Sequence, residues 1–304
     1  MDQRPDTTYV IISPVKDEEK YIETTINAVI RQTVRPWRWI IVDDGSRDGT
    51  RGILRGYSER FPWITTLEVD REDKRRSPSP IMRAFACGLQ SLSSSEVDFI
   101  VKLDCDLDLP PNYFERLLAG FRDDERLGIA SGIYLERNGS GWAPVKMPDY
   151  HAAGASKMLR AKCFREIGGF ILQRGWDTVD EIRARALGWK TCCFKDLAFY
   201  HLKAEGSASG FLRTSLMHGE IDYLTGVNAP FFLLKVLHRM IVVKPRLLAG
   251  LAMMAGFLRA LLLRKPRLVS AREARLYRQL LNRRLVEGFR SIGKRLPRRG
   301  WSYN

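Results

Sequence analysis

Two clusters of aspartate sit where metal and phosphate chemistry is easily built. Asp43-Asp44 closes the apolar run Trp39 to Val42, and Asp104-Cys105-Asp106 closes the run Phe99 to Leu103, with Asp108 just beyond. Carboxylates at i and i+2 past a strand can hold a hard divalent cation, and Mg²⁺ or Mn²⁺ is commonly held by few protein ligands plus the phosphates of a substrate. No strand-like run is followed by a glycine-rich loop of the G-x-G-x-x-G or G-x-x-x-x-G-K-[ST] form. That argues against a dinucleotide enzyme or a P-loop nucleotidase and leaves phosphate charge to be met by metal. Aspartates also cap helices and turns. Two acidic clusters at two strand ends are harder to explain by capping alone.

The elements that must position these residues alternate. Thr8 to Ser13 (TYVIIS) is a short β-branched strand, followed by a helix with Ile22, Ile26, Val29 and Ile30 on one side. After the strand Trp39 to Val42 come a helix near Thr50 to Arg60, a strand near Ile64 to Val69, a helix near Ile81 to Leu92 and the strand Phe99 to Leu103. This alternation predicts an α/β fold with a mostly parallel sheet, helices on both faces, and ligand binding at the carboxyl ends of the strands.

The chain has 304 residues, 45% hydrophobic and 28% charged, without the bias of a disordered or repeat protein. Its five cysteines form no C-x-x-C pair, which makes a reducing compartment the default expectation. MDQRPDTTYV has no apolar signal-peptide core, so nothing there is expected to direct export. The net charge of +15 is concentrated at one end: from Phe231 onward 18 basic residues face only Glu273 and Glu287, giving +16, while residues 1–230 sum to −1. A near-neutral domain therefore carries a cationic extension.

That extension is also apolar. Pro230 to Val243 (PFFLLKVLHRMIVV) reads as a basic amphipathic helix with Lys235, His238 and Arg239 on one face. After Pro245, Leu247 to Leu263 is 17 residues interrupted only by Arg259, at the short limit for a span and better suited to lying in or re-entering the interface. Ser270-Ala-Arg-Glu273 has the capping-box form, and the helix it starts sets Leu276, Leu280 and Leu285 opposite Arg275, Arg278 and Arg283. Apolar faces flanked by arginine suit an anionic membrane surface. A helical subdomain packed on the main core is the competing expectation.

YVIISPVKDEEKYIETTINAVIRQTVRPWRWIIVDDGSRDGT followed by DFIVKLDCDLDLPPNYFERL resembles the nucleotide-binding half of family 2 inverting glycosyltransferases of GT-A fold, from about Tyr9 to about Gly210. The resemblance implies a GT-A domain over 1–225 and a basic, apolar, membrane-associating helical region over 226–304. It implies that Pro14, Val15, Asp17, Glu18, Asp43 and Asp44 line the pocket for the base and ribose of a nucleotide-diphosphate sugar. Asp104 and Asp106 match its D-x-D motif, with Asp106 on a divalent metal (Mg²⁺ or Mn²⁺) and Asp104 on ribose or metal. GGFILQRGWDTVDEIRARALGWKT resembles the family's acceptor segment and puts Asp177 at the general base, with Asp180 and Glu181 close enough to compete. His201, in FYHLKAEGSASG, matches a histidine near the metal or diphosphate.

Three departures shape the expectation. Trp176 stands where the family has Glu, an apolar residue suited to shaping an acceptor site; Ala86 stands where a polar residue is usual; and the Gln-x-x-Arg-Trp motif of processive synthases is absent. The resemblance, with these departures and the cationic tail, implies a hexosyltransferase that moves a single sugar to a lipid-linked or membrane-proximal saccharide, on the cytoplasmic face of a bacterial inner membrane, with no nucleic acid expected as partner. A nucleic-acid-binding protein using the basic tail, a nucleotidyltransferase with paired Asp, and a catalytically silent protein of the same fold are the alternatives.

Overall fold

The computed structural model describes residues 7–69, 79–92, 97–203, 210–242 and 245–295. The tail cations Lys244, Arg298 and Arg299, the Ser77-Pro78 dipeptide and residues 204–209 lie outside the described residues. The chain divides into two compact units, 1–205 and 206–304.

In the first unit, β1 (Tyr9–Val15) leads through α1 (Ile22–Ile30) to β2 (Arg38–Asp43), then through α2 (Thr50–Arg60) to β3 (Ile64–Glu68) and through α3 (Pro80–Gln90) to β4 (Phe99–Leu103). The remaining elements are β5 (Leu107–Asp108), α4 (Tyr113–Asp123), β6 (Leu127–Asn138), β7 (Gly141–Pro144), β8 (Ser156–Arg160), α5 (Ala161–Glu166), α6 (Trp176–Ala186) and β9 (Lys190–His201). The strand order is β3-β2-β1-β4-β8-β6-β9-β5, with β7 on β6. The half built from β3, β2, β1 and β4 is parallel, as the alternation predicts. Beyond β4 the sheet is mixed: β8 runs antiparallel to both β4 and β6, while β6 and β9 are parallel.

The central strands are buried on both faces, which explains their near-continuous apolar runs. Tyr9, Ile11, Trp39 and Ile41 join one core with Ile22 and Ile26 of α1 and Phe114 and Leu117 of α4. Val10, Ile12, Ile40 and Val42, one residue out of phase, join the opposite core with Met82 and Phe85 of α3. All four parallel strands therefore deliver their carboxyl-end loops to one edge of the sheet.

The second unit is helical: α7 (Phe211–Leu224), α8 (Ala229–Val242), α9 (Arg246–Leu262) and α10 (Ala271–Arg295). The sequence reading assigns residues 211–225 to the catalytic domain, whereas α7 belongs to the second unit, where it packs closely on α9. A Cβ added to Gly219 would lie 1.8 Å from the Met253 carbonyl oxygen, and one added to Gly256 would lie 1.9 Å from that of Leu216. Only glycine permits this backbone contact. The capping box forms, with Ser270 N–H donating to Glu273 Oε2 at 2.6 Å and Glu273 N–H to Ser270 Oγ at 3.3 Å. Within α10 the leucine that enters the core is Leu281, while Leu276 stays exposed. Among the described residues no helix is long and apolar enough to cross a membrane.

Candidate active site

The loops after β1 and β2 are laced together. Asp44 N–H donates to the Val15 carbonyl at 2.9 Å, Asp17 N–H to Ser46 Oγ at 3.0 Å, Arg47 N–H to Asp17 Oδ1 at 2.7 Å, and Glu18 N–H to Thr50 Oγ1 at 3.0 Å. Asp17 takes a left-handed φ of 53° and Gly45 one of 83°, so both turns bend sharply at the sheet edge. Pro14 and Val15 lie opposite Val42 and Asp43 in the parallel register.

Asp43 and Asp44 are buried and engaged within the chain. Asp43 accepts the Ser46 N–H and Oγ–H at 2.8 and 2.6 Å and Arg51 Nε–H at 2.6 Å. Burial alone would raise this carboxyl, but those donors outweigh it and hold it below the usual carboxylate range. Asp44 Oδ1 meets Arg83 of α3 at 2.6 Å, both side chains being about 9% exposed. Sequence reasoning missed Arg83; a single cation inside the apolar run PIMRAFACGL was the available signal.

The D-x-D residues follow β4. Asp106 is buried, its Oδ2 lies 3.4 Å from His201 Nε2, and its Oδ1 meets no hydrogen-bond donor among the described residues. The other ring nitrogen of His201 lies 3.3 Å from Glu136 Oε1. Burial alone would lower the His201 pKa; the contact with Asp106 and the charges of Asp104 and Glu136 raise it overall. Glu18 binds Lys203 Nζ through Oε1 at 2.6 Å, and its Oε2 is buried without a donor among the described residues. Burial raises the Glu18 carboxyl, with the Asp106 and Asp104 charges adding and Lys203 opposing.

Among the described residues no three His, Cys, Asp or Glu side chains form a closed metal cage. An orphaned buried oxygen of Asp106 beside the His201 ring nitrogen nevertheless fits a cation that takes its other ligands from a diphosphate. Asp104 is turned differently: its Oδ1 takes the Lys102 ammonium, which also donates to the Gly154 carbonyl at 2.8 Å.

Lys102 and Lys157 are register partners across the antiparallel pair β4–β8, and both side chains are almost completely buried. Each ammonium lies over the Trp176 ring, 5.4 and 5.3 Å from its centroid. Lys157 donates to the Asp177 carbonyl at 2.8 Å, to Asp180 Oδ2 at 3.0 Å and to Glu181 Oε1 at 3.1 Å, so its three protons are used. Glu181 also accepts Ala152 N–H at 2.8 Å and lies 3.0 Å from His151 Nδ1. Burial would raise Glu181, but Lys157 and His151 hold it below the usual range; Asp180 is pushed up by burial despite Lys157.

These contacts separate the three acids of α6. Asp180 and Glu181 are enclosed around Lys157, whereas Asp177 is half-buried and among the described residues no donor binds its carboxylate. Trp176, the residue before Asp177, leads to the D-x-D residues: the Lys102 ammonium, which holds Asp104, lies 5.4 Å from the centroid of the Trp176 ring, and a Cβ added to Gly154, whose carbonyl also takes Lys102, would lie 3.4 Å from that ring. Neither lysine was singled out by sequence reasoning, although a lysine inside a buried strand (FIVKL) is itself a signal.

The family model described as Glycosyl transferase family 2 matches residues 10–175. The chain belongs to this family. It is 25% identical over 189 residues to the succinoglycan biosynthesis protein ExoA of Rhizobium meliloti, covering 56% of this chain and 54% of that protein. The chain thus spans about half the length of that relative. To the undecaprenyl-phosphate 4-deoxy-4-formamido-L-arabinose transferase of Pectobacterium carotovorum it is 24% identical over 264 residues, covering 83% of this chain and 74% of the relative. The mannosyltransferase PcManGT of Pyrobaculum calidifontis, solved with GDP-Man and Mn²⁺, superposes with a TM-score of 0.56 at 17% identity, over 96% of this chain and 86% of that one. That likeness gives the fold: the first unit has the GT-A architecture of glycosyltransferases.

Proposed function

We propose that this glycosyltransferase moves one sugar, with inversion, from a nucleotide-diphosphate sugar to a lipid-linked or membrane-proximal saccharide. The observation that carries the reading is that Lys102, which holds Asp104, lies over the ring of Trp176, the residue before Asp177, whose carboxylate meets no donor among the described residues. Asp177, in the first turn of α6, takes the proton from the acceptor hydroxyl as that oxygen attacks the anomeric carbon opposite the leaving diphosphate. Trp176, beside it and only partly buried, would border the acceptor. Pro14, Val15, Asp17, Glu18, Asp43 and Asp44 shape the nucleoside end, with Asp43 and Asp44 acting through the turn they brace. Asp106 and His201 would hold the divalent cation, and Asp104, braced by Lys102, completes the ribose or metal contact. Bound there, Mg²⁺ or Mn²⁺ neutralises charge on the departing diphosphate.

The acceptor class is supported by the undecaprenyl-phosphate and succinoglycan relatives, and the donor class by the GDP-Man bound to PcManGT. We place the reaction at the cytoplasmic face of a bacterial inner membrane, with the cationic second unit toward lipid phosphate. A thermal-shift series with UDP, GDP, CDP and dTDP, with and without Mn²⁺ or Mg²⁺, tests the donor reading: one nucleotide raises the melting temperature only with metal, and Asp106→Ala abolishes the response. Asp177→Asn keeps that response while transfer falls by about 10²–10⁴-fold. Full transfer by either variant would refute the assigned role.

A further inference from the structure

The basic amphipathic helix expected at residues 230–243 forms as α8, with Phe232 and Val236 buried and Lys235 turned toward α7 beside them. Lys235 of α8 donates to both carboxylate oxygens of the buried Asp222 on α7, each at 2.9 Å, and Lys265 pairs with Glu220 of α7. His218 of α7 is held to a pKa of about 3 by its burial and by the charges of Arg239 and Lys235. Lys235 and Arg239 of α8 thus act on α7, while His238 is exposed. The aliphatic stripe of α8 at i, i+4 and i+8, Leu233, Leu237 and Ile241, is exposed at 49%, 54% and 71%. On α9 the buried positions are the small Ala249, Gly250, Gly256 and Ala260 together with Met253, while Leu247, Leu251 and Leu262 are 60%, 48% and 80% exposed.

Resting on the membrane reading above, we propose that α8 and α9 insert these aliphatic stripes in plane into one leaflet of a phospholipid bilayer, so that apolar burial rather than arginine–headgroup attraction holds the protein there. Glycine-mediated helix contact with leucines outside forms a pattern suited to hydrocarbon and opposed by water. The stripes contain no aromatic residue, whereas the cores of protein–protein interfaces are enriched in Tyr, Trp and Phe. Exposed Arg246, Arg259 and Arg264 at the ends of α9 complement lipid phosphate, and no helix among the described residues is long and apolar enough to cross.

Flotation of the full chain on phosphatidylcholine vesicles, and on vesicles containing phosphatidylglycerol, in low salt and in about 1 M NaCl, tests this, since at such salt surface attraction is screened within about 3 Å. Wild type is expected to float with neutral vesicles at high salt. Leu237→Glu/Ile241→Glu, and separately Leu247→Gln/Leu262→Gln, lower partitioning by about tenfold or more. Helical circular dichroism and the nucleotide thermal shift report whether each variant is folded. Binding confined to phosphatidylglycerol vesicles and lost in high salt overturns the proposal, and so does self-association without vesicle binding. Failure of the transferase reading would show instead as no nucleotide response, whatever the vesicles do.

Discussion

Lys157→Met is the sharpest probe of the site's framework. The ammonium is fully buried and shared among Asp180, Glu181 and the Asp177 carbonyl, so a methionine of similar length leaves two buried carboxylates facing each other. Removing one partner of a buried ion pair costs about 3–5 kcal/mol, because the charge left behind is unpaired. In a unit of this size each kcal/mol moves the melting temperature by about 2–4 °C, so the variant should melt roughly 6–20 °C lower. Adding Asp180→Asn removes one uncompensated charge and should recover part of that loss. Calorimetry of wild type, the single variant and the double variant measures both steps. A single variant melting within about 2 °C of wild type, or no recovery in the double variant, would refute the reasoning.

Lys102→Met should raise the donor KM more than it lowers kcat, because it frees Asp104 directly and reaches Asp177 only through the neighbouring Trp176 ring; Lys102→Arg should restore part of the loss, and initial-rate kinetics separates the two constants. Gly219→Ala would push a methyl into the Met253 carbonyl and should destabilise the helical unit by several kcal/mol, on the order of an overpacked core or more, read as lost helicity on heating. His218 titrates near 3 in the folded chain and near 6.5 unfolded, so its contribution is complete above about pH 6.5 and is lost as pH falls toward 3. Melts between pH 8 and pH 5 should therefore show a falling midpoint that His218→Gln flattens.

The parallel half of the sheet was legible because each of its strands is a short apolar run closed by turn-forming residues, and α2 spans Thr50–Arg60 as its pattern suggests. The strand-end aspartates could be read for the same reason: their type and position are local properties. Which cation each one meets is not local. Arg83 reaches Asp44 across 39 residues, and Lys102 faces Lys157 only because β8 runs antiparallel beside β4, a pairing that no periodicity within either strand encodes. In the second unit the pattern of α8 gave its apolar and basic positions but not that Lys235, beside the buried Phe232 and Val236, turns toward α7. That was decided by Asp222, an acid on a neighbouring helix.

The backbone contact at Gly219 and Gly256 has a consequence for biogenesis. As the ribosome delivers the chain, the surface of α7 around Gly219 emerges while the matching surface of α9 is still to be translated. Until Gly256 is made, that segment has no docking site, and its neighbouring ion pairs with α8 and Lys265 have no fixed frame. The second unit therefore assembles late and as a whole, and a nascent chain arrested before α9 would present unsatisfied helices to chaperones or to the bilayer itself.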